Sequence, residues 1–409
     1  MAGRRDGERD WKLKEAMRAI LWAQGYSTRF NVLLSYEITQ RGKSEPINLG
    51  LTDLDVLGVR LDPGFRLHLA IADCKTVSGR VPERMFWLAG VAKFFGSDTN
   101  YLVRSQPFPE HVPSLARSLD ISLVGPKELP ILLNTYPQSM PEELYARFHD
   151  FSLHEKVTRR LSPLPAELRD VERYRNSQFW MDPSHLALSR VILSLSRLAR
   201  SGSGIDATIQ CFFSDMVWLF TVSLWRACAA LVATGLADLE QSLYLYLNGY
   251  EAGTTSLERW RRAFEALGKK AGVDTPLPTH PPYFSELLEL IVRCIRRPGA
   301  TAKMARRAEW LLSAQLVGGL GSPPWLNSDD DVLAEKLLDD VARFLVRHGR
   351  LSDRYATAYS ALVFDQSQVE EVLPVAPAGE AAIPPHASNN QPVDQQELLL
   401  GAELDVPGP

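Results

Sequence analysis

Two apolar runs constrain this chain more than any other feature. They are Leu51-Thr-Asp-Leu-Asp-Val-Leu-Gly-Val59 and Leu67-His-Leu-Ala-Ile-Ala-Asp-Cys-Lys-Thr76, joined through the turn-forming Asp62-Pro-Gly64. Side chains alternate along a strand, so Asp53 and Asp55 share one face, as do Asp73 and Lys75. Val56, Leu57, Val59, Leu67, Leu69 and Ile71 supply a core around them. A lysine inside such an apolar strand needs an acidic partner. If the two strands are neighbours, carboxylates and one ammonium gather at one spot.

The surrounding pattern predicts where that hairpin sits. Trp11 to Gln24 reads as a helix, with an apolar stripe at Leu13, Ala16, Met17, Ile20 and Leu21, ended by Gly25. Strands are predicted at Phe30–Ile38, Thr52–Val59, Arg66–Thr76, Asn100–Arg104 and Ile121–Val124. Helices are predicted at Pro82–Phe95, Val112–Ser118 and Glu128–Asn134. Three hairpin-linked strands followed by a crossover helix and further strands make an α/β domain with a mixed sheet flanked by helices.

Past residue 176 no strand pattern remains, and eight helical stretches punctuated by Gly and Pro follow. The predicted organisation is a disordered basic leader (1–10), the α/β domain (11–135), a proline-containing bridge (136–176), an all-helical domain (177–365) and a disordered acidic tail (366–409). There is no internal repeat at a fixed period.

Composition narrows the function classes. The formal charge is −4, but residues 366–409 hold seven acids and no Lys or Arg, which leaves the rest at about +3. That is compatible with nucleic-acid binding. Cys74, Cys211, Cys228 and Cys294 form no CxxC pair, which excludes a cysteine zinc site and fits a reducing, cytoplasmic setting. The polar stretch Met1 to Lys14 has no signal-peptide pattern. Met216–Ala237 is long enough to span a bilayer, with Arg226 its one charge. We read it as a buried helix and keep a membrane anchor as the alternative. Serine-hydrolase motifs and a Walker-type loop are absent.

Carboxylates gathered beside a lysine suit divalent-metal phosphodiester hydrolysis. Oxygen ligands hold a hard cation such as Mg²⁺ or Mn²⁺, and the cation lowers the pKa of bound water. The expected metal ligands are Asp55, Asp73 and the backbone carbonyl of Cys74. Lys75 is expected to polarise the attacking water or a phosphate oxygen.

Asp55, followed by Asp73-Cys-Lys75, resembles the signature of the PD-(D/E)xK nucleases. The strand entry Thr52-Asp-Leu-Asp-Val-Leu57 is similar to their Mrr-like and Holliday-resolvase-like branches. Glu15, before Gly25-Tyr26, matches the helix-borne glutamate of those branches. Tyr101-Leu-Val-Arg104, Leu115-Ala116 and Asp120–Ile131 resemble the closing elements. The resemblance covers Trp11 to about Asn134. It departs from the family in having Asp73 where Glu is common and no proline before Asp55.

It implies a restriction-endonuclease-like fold, catalytic Asp55, Asp73, Lys75 and Glu15, and cleavage of nucleic acid, DNA foremost, in prokaryotic restriction, defence or repair. The alternative is a non-catalytic binding subunit on a degenerate nuclease fold, with the helical domain as a protein-partner surface.

Weaker candidates complete the reading. Glu37 is a rival to Glu15, Asp53 is a surface neighbour of the site, and Arg80, Arg84 and Lys93 are possible backbone contacts. The run Arg293, Arg296, Arg297, Lys303, Arg306 and Arg307, followed by Trp310, reads as a solvated helix face or a phosphate-binding surface.

Overall fold

The computed structural model describes residues 2–38, 47–76, 80–136, 140–155, 169–200, 207–270, 280–317, 320 and 328–364. Helix α1 (Ala2–Ala23) leads into strands β1 (Ser27–Ile38), β2 (Ile47–Leu61) and β3 (Leu67–Lys75). Helix α2 (Val81–Phe95) crosses to β4 (Thr99–Arg104). Helix α3 (Val112–Ser118) crosses to β5 (Ile121–Val124), and α4 (Glu128–Thr135) closes the region. The sheet order is β1-β2-β3-β4-β5. The first three strands are antiparallel neighbours, and β3, β4 and β5 run parallel. The N-terminal region is therefore a five-stranded mixed sheet, and the described residues after it form a helical region.

Alternation along β2 and β3 divides the core into two layers. Val56, Ala70, Ala72 and Cys74 pack against Leu13, Met17, Ile20 and Leu21 of α1. Leu57, Val59 and Ile71 pack against Met85 and Leu88 of α2 in a cluster that continues into the helices. The sheet and helices thus share one core, within a single compact unit. The residues expected to be a leader continue α1 at its N-terminal end.

The bridge also holds structure: α5 (Glu142–His149), a helical turn at 151–155, and a helix that we call α6. The last begins at Arg169–Arg173, passes through a π-helical turn at Tyr174–Gln178 and ends at Phe179–Met181. Its prolines mask this pattern in the sequence, because they break the segment into pieces too short to show a period.

The helices α7 (Ser184–Arg200), α8 (Ala207–Thr234), α9 (Leu239–Leu247), α10 (Tyr250–Lys270), α11 (Phe284–Arg296), α12 (Pro298–Val317), α13 (Asp329–Gly349) and α14 (Arg354–Phe364) follow. Within α8, Ile209–Thr234 is long and apolar enough to cross a membrane, yet 72% of its most apolar window is buried against the other helices. The tail lies outside the described residues.

The basic run departs from its sequence reading. Arg307 is buried and pairs with Glu335 of α13, Arg306 lies over the ring of Trp22, and Trp310 is fully buried. These side chains turn inward, so the run is neither one solvated face nor one phosphate-binding face.

Candidate active site

The site forms where β2 and β3 part. Their pairing ends at Val56↔Ala72, so Asp55 and Asp73 stand one step beyond it, side by side. The Cys74 N–H, which a continuing β2 would bind, donates instead to Asp55 Oδ2 at 2.7 Å. The Asp55 carboxylate therefore fills the opening between the strands.

Around these two acids the structure gathers three cations. Lys75 Nζ lies 3.3 Å from Asp55 Oδ2 and 3.8 Å from Asp73 Oδ1. Lys14, reaching from α1, lies 2.8 Å from Asp55 Oδ1 and donates to Asn31 Oδ1 at 2.7 Å. Arg84, in the first turns of α2, grips Asp73 with Nε at 2.6 Å from Oδ2 and Nη2 at 2.5 Å from Oδ1. Such forked pairing is the strong form of an Arg–carboxylate bond. Asp55 and Asp73 are buried, whereas the Lys75 side chain is 37% exposed and faces solvent.

The environment drives the two carboxyls apart. Burial pushes Asp55 up, but Lys14, Lys75 and the hydrogen bonds together outweigh it and hold it below the usual carboxylate range. Burial also pushes Asp73 up, the adjacent Asp55 adds to this, and Arg84 recovers only part, so Asp73 stays above that range. Lys75 loses some basicity to burial and regains more from Asp55 and Asp73, so its amine is held above the usual lysine range and is charged at neutral pH. Two titrating groups forced apart by their surroundings are typical of a functional site.

Asp55, Asp73 and Lys75 therefore meet, whereas Glu15 does not join them. Its carboxylate accepts the Phe151 N–H at 2.8 Å, at the start of the 151–155 turn, and burial raises its pKa. Lys14, one residue earlier on α1, takes the place at Asp55. Asp10, one helical turn before Lys14, accepts the Thr76 N–H and hydroxyl at 2.7 and 2.6 Å, which fixes the end of β3. Asp53 is exposed. Arg80 pairs with Glu83 at the surface, and Lys93 is exposed on α2. The side chain of Glu37 lies outside the described residues.

The sequence did hold a signal for Lys14: it stands three and seven residues before Met17 and Leu21, on their buried ridge. Arg84 carried no signal beyond its charge on a helix that follows β3.

The donor chemistry matches a hard divalent cation, since two buried carboxylates lie beside one backbone segment. All four of their oxygens, however, already accept from protein donors. A cation would have to use their remaining lone pairs beside these donors, or displace Lys14 and Arg84. Among the described residues, no cluster of three or more His, Cys, Asp or Glu could hold a metal. Comparison with family models, curated proteins and solved structures finds no match to this chain.

Proposed function

We propose that this chain is a metal-dependent nuclease that hydrolyses phosphodiester bonds, DNA foremost, on a restriction-endonuclease-like fold. The observation that carries the reading is the meeting of Asp55 and Asp73 around one solvent-facing lysine at the parted ends of two strands. The order α1-β1-β2-β3-α2-β4 supports it, because the resemblance calls for an opening antiparallel meander and a crossover helix. A role in restriction, defence or repair in a prokaryotic cytoplasm, and target or partner selection by the helices, rest on the resemblance alone.

Asp55, Asp73 and the Cys74 carbonyl would hold Mg²⁺ or Mn²⁺, which when bound supplies Lewis-acid charge and acidifies water. Lys75 stays an ammonium, so it cannot accept a proton. It acts as a fixed positive charge, either at a non-bridging phosphate oxygen or orienting the attacking water. Asp10 and Thr76 keep the β3 end in place. Lys14 and Arg84 hold the carboxylates, and a metal would share those oxygens with them or take them over.

This existing pairing favours a second reading. With every carboxylate oxygen engaged, the cluster can serve as a permanent ion-pair network in a module that binds nucleic acid without cutting it. Cleavage separates the two. Incubation with single-stranded, duplex and branched DNA and with RNA, in Mg²⁺ or Mn²⁺, should give products with the wild type and none with Asp55→Asn. Products in equal amount from both would exclude this site.

A further inference from the structure

Next to the strand ends lies a second site that the nuclease reading does not use. A cavity of about 290 Å³ opens between β1 and the π-helical turn. Its aromatic walls are Phe30, Phe151 and Trp180. Phe30 and Phe151 meet edge to face, with ring centroids 5.0 Å apart. Asn31, Asn176, Arg29 and Arg175 supply polar groups. The volume is just under the roughly 300–1,000 Å³ usual for drug-sized ligands, which suits one planar ring system.

Two backbone departures converge on this cavity. Asn31 is left-handed, with φ 51°, a conformation that costs energy in most residues but little in asparagine. Arg175 and Asn176 sit in the π-helical turn. Both features are uncommon, and both concentrate where a fold serves a ligand.

Arg29 and Arg175 both bond to the one carboxylate of Asp215, and Glu155 also lines the cavity and offsets the remaining positive charge, so the wall offers a ligand its rings and amides rather than a net charge. Asn31 also links the cavity to the strand ends, since its Oδ1 accepts from the same Lys14 that holds Asp55.

We infer that the cavity takes one unpaired nucleobase of a bound strand, its ring against Phe30, Phe151 and Trp180 and its edge read by Asn31 and Asn176. Stacking on aromatic side chains with hydrogen bonds to the exposed edge is how proteins hold unpaired bases. The direction of the strand, with phosphates running toward Lys14 and Lys75, rests on the nuclease reading. The base site itself does not.

The test uses the full chain in EDTA, so that cleavage plays no part. Fluorescence anisotropy at fixed salt compares a labelled oligodeoxyadenylate with an abasic strand of equal length and charge. The base-bearing strand should bind about 10-fold tighter. Asn176→Phe, which fills the cavity, should abolish that preference, and Asn176→Ala should narrow it. If Asn176→Phe does not fold, Asn176→Ala carries the test alone.

Equal affinity of the wild type for both strands would overturn the inference, as would a preference that survives the substitution in folded protein. Adenosine monophosphate that competes as well as the strand would overturn the strand as occupant. The two readings fail separately. Cleavage without base preference removes the cavity, and base preference without cleavage removes the nuclease.

Discussion

Two clusters of charge share helix α1 and the first strands, and they are built differently. At the sheet–helix junction, Glu309 of α12 accepts from Arg18 Nη2 at 2.9 Å, from Ser27 Oγ at 2.8 Å, and from the Thr28 N–H and hydroxyl at 2.6 Å each. Arg18 also donates to the Phe148 carbonyl, and Trp218 Nε1 donates to Ser27 Oγ at 2.7 Å. Glu309 and Arg18 are both buried, and one acid meets one base. At the strand ends, three cations surround two carboxylates, and Lys75 remains open to solvent. A sealed and balanced cluster fixes structure. A cluster with surplus positive charge and an open side can meet an anionic group from solvent.

The comparison predicts opposite responses to substitution. The largest effect on stability belongs to the inner cluster. Glu309→Ala leaves Arg18 buried without its acid and should cost about 3–5 kcal/mol, read from urea unfolding. A loss below 1 kcal/mol would show that the junction is not sealed as described. At the strand ends the large effect falls on activity instead. Asp55→Asn should lower metal-dependent cleavage by at least about 100-fold, a factor usual for the loss of a key charge-stabilising group.

Acidification offers a subtler contrast within the outer cluster. Asp55 lies below its ordinary value of 3.8, so the stability it lends is complete above that value and is lost as pH falls through its lower native pKa. Asp73 lies above 3.8, so the opposite sign holds, and stability rises as it takes up its proton on the way down. Carboxyl NMR should show Asp73 protonating first and Asp55 last, and Lys14→Met should move Asp55 upward. The smallest effect is on folding by Lys75→Ala. With the side chain this exposed, unfolding free energy should change by less than about 1 kcal/mol.

Much of the sheet region could be read from the sequence because its elements are short and strongly patterned. Val112–Ser118 and Ile121–Val124 have the predicted bounds, and the predicted Asn100–Arg104 begins one residue earlier, at Thr99. Alternation put Asp73 with Lys75 and Asp55 with Asp53, and the resemblance singled out Asp55 of the latter pair. Glu15 stands apart from them for a physical reason. The face of α1 that carries Arg18 and Trp22 lies opposite the apolar stripe, yet both residues are buried. That face meets Glu309, Phe148 and Trp310, partners that lie far along the chain and that no local period reveals. The same blindness hid the inward turn of Arg306 and Arg307, whose partners Trp22 and Glu335 belong to other helices.

The most direct test of the strand-end site is a paired cleavage assay with wild type and Lys75→Ala, matched for urea stability, in Mg²⁺ and in EDTA. The account predicts products from the wild type in Mg²⁺ only, and a rate at least about 100-fold lower for the variant. Equal rates from the two proteins, or wild-type cleavage that persists in EDTA, would contradict it.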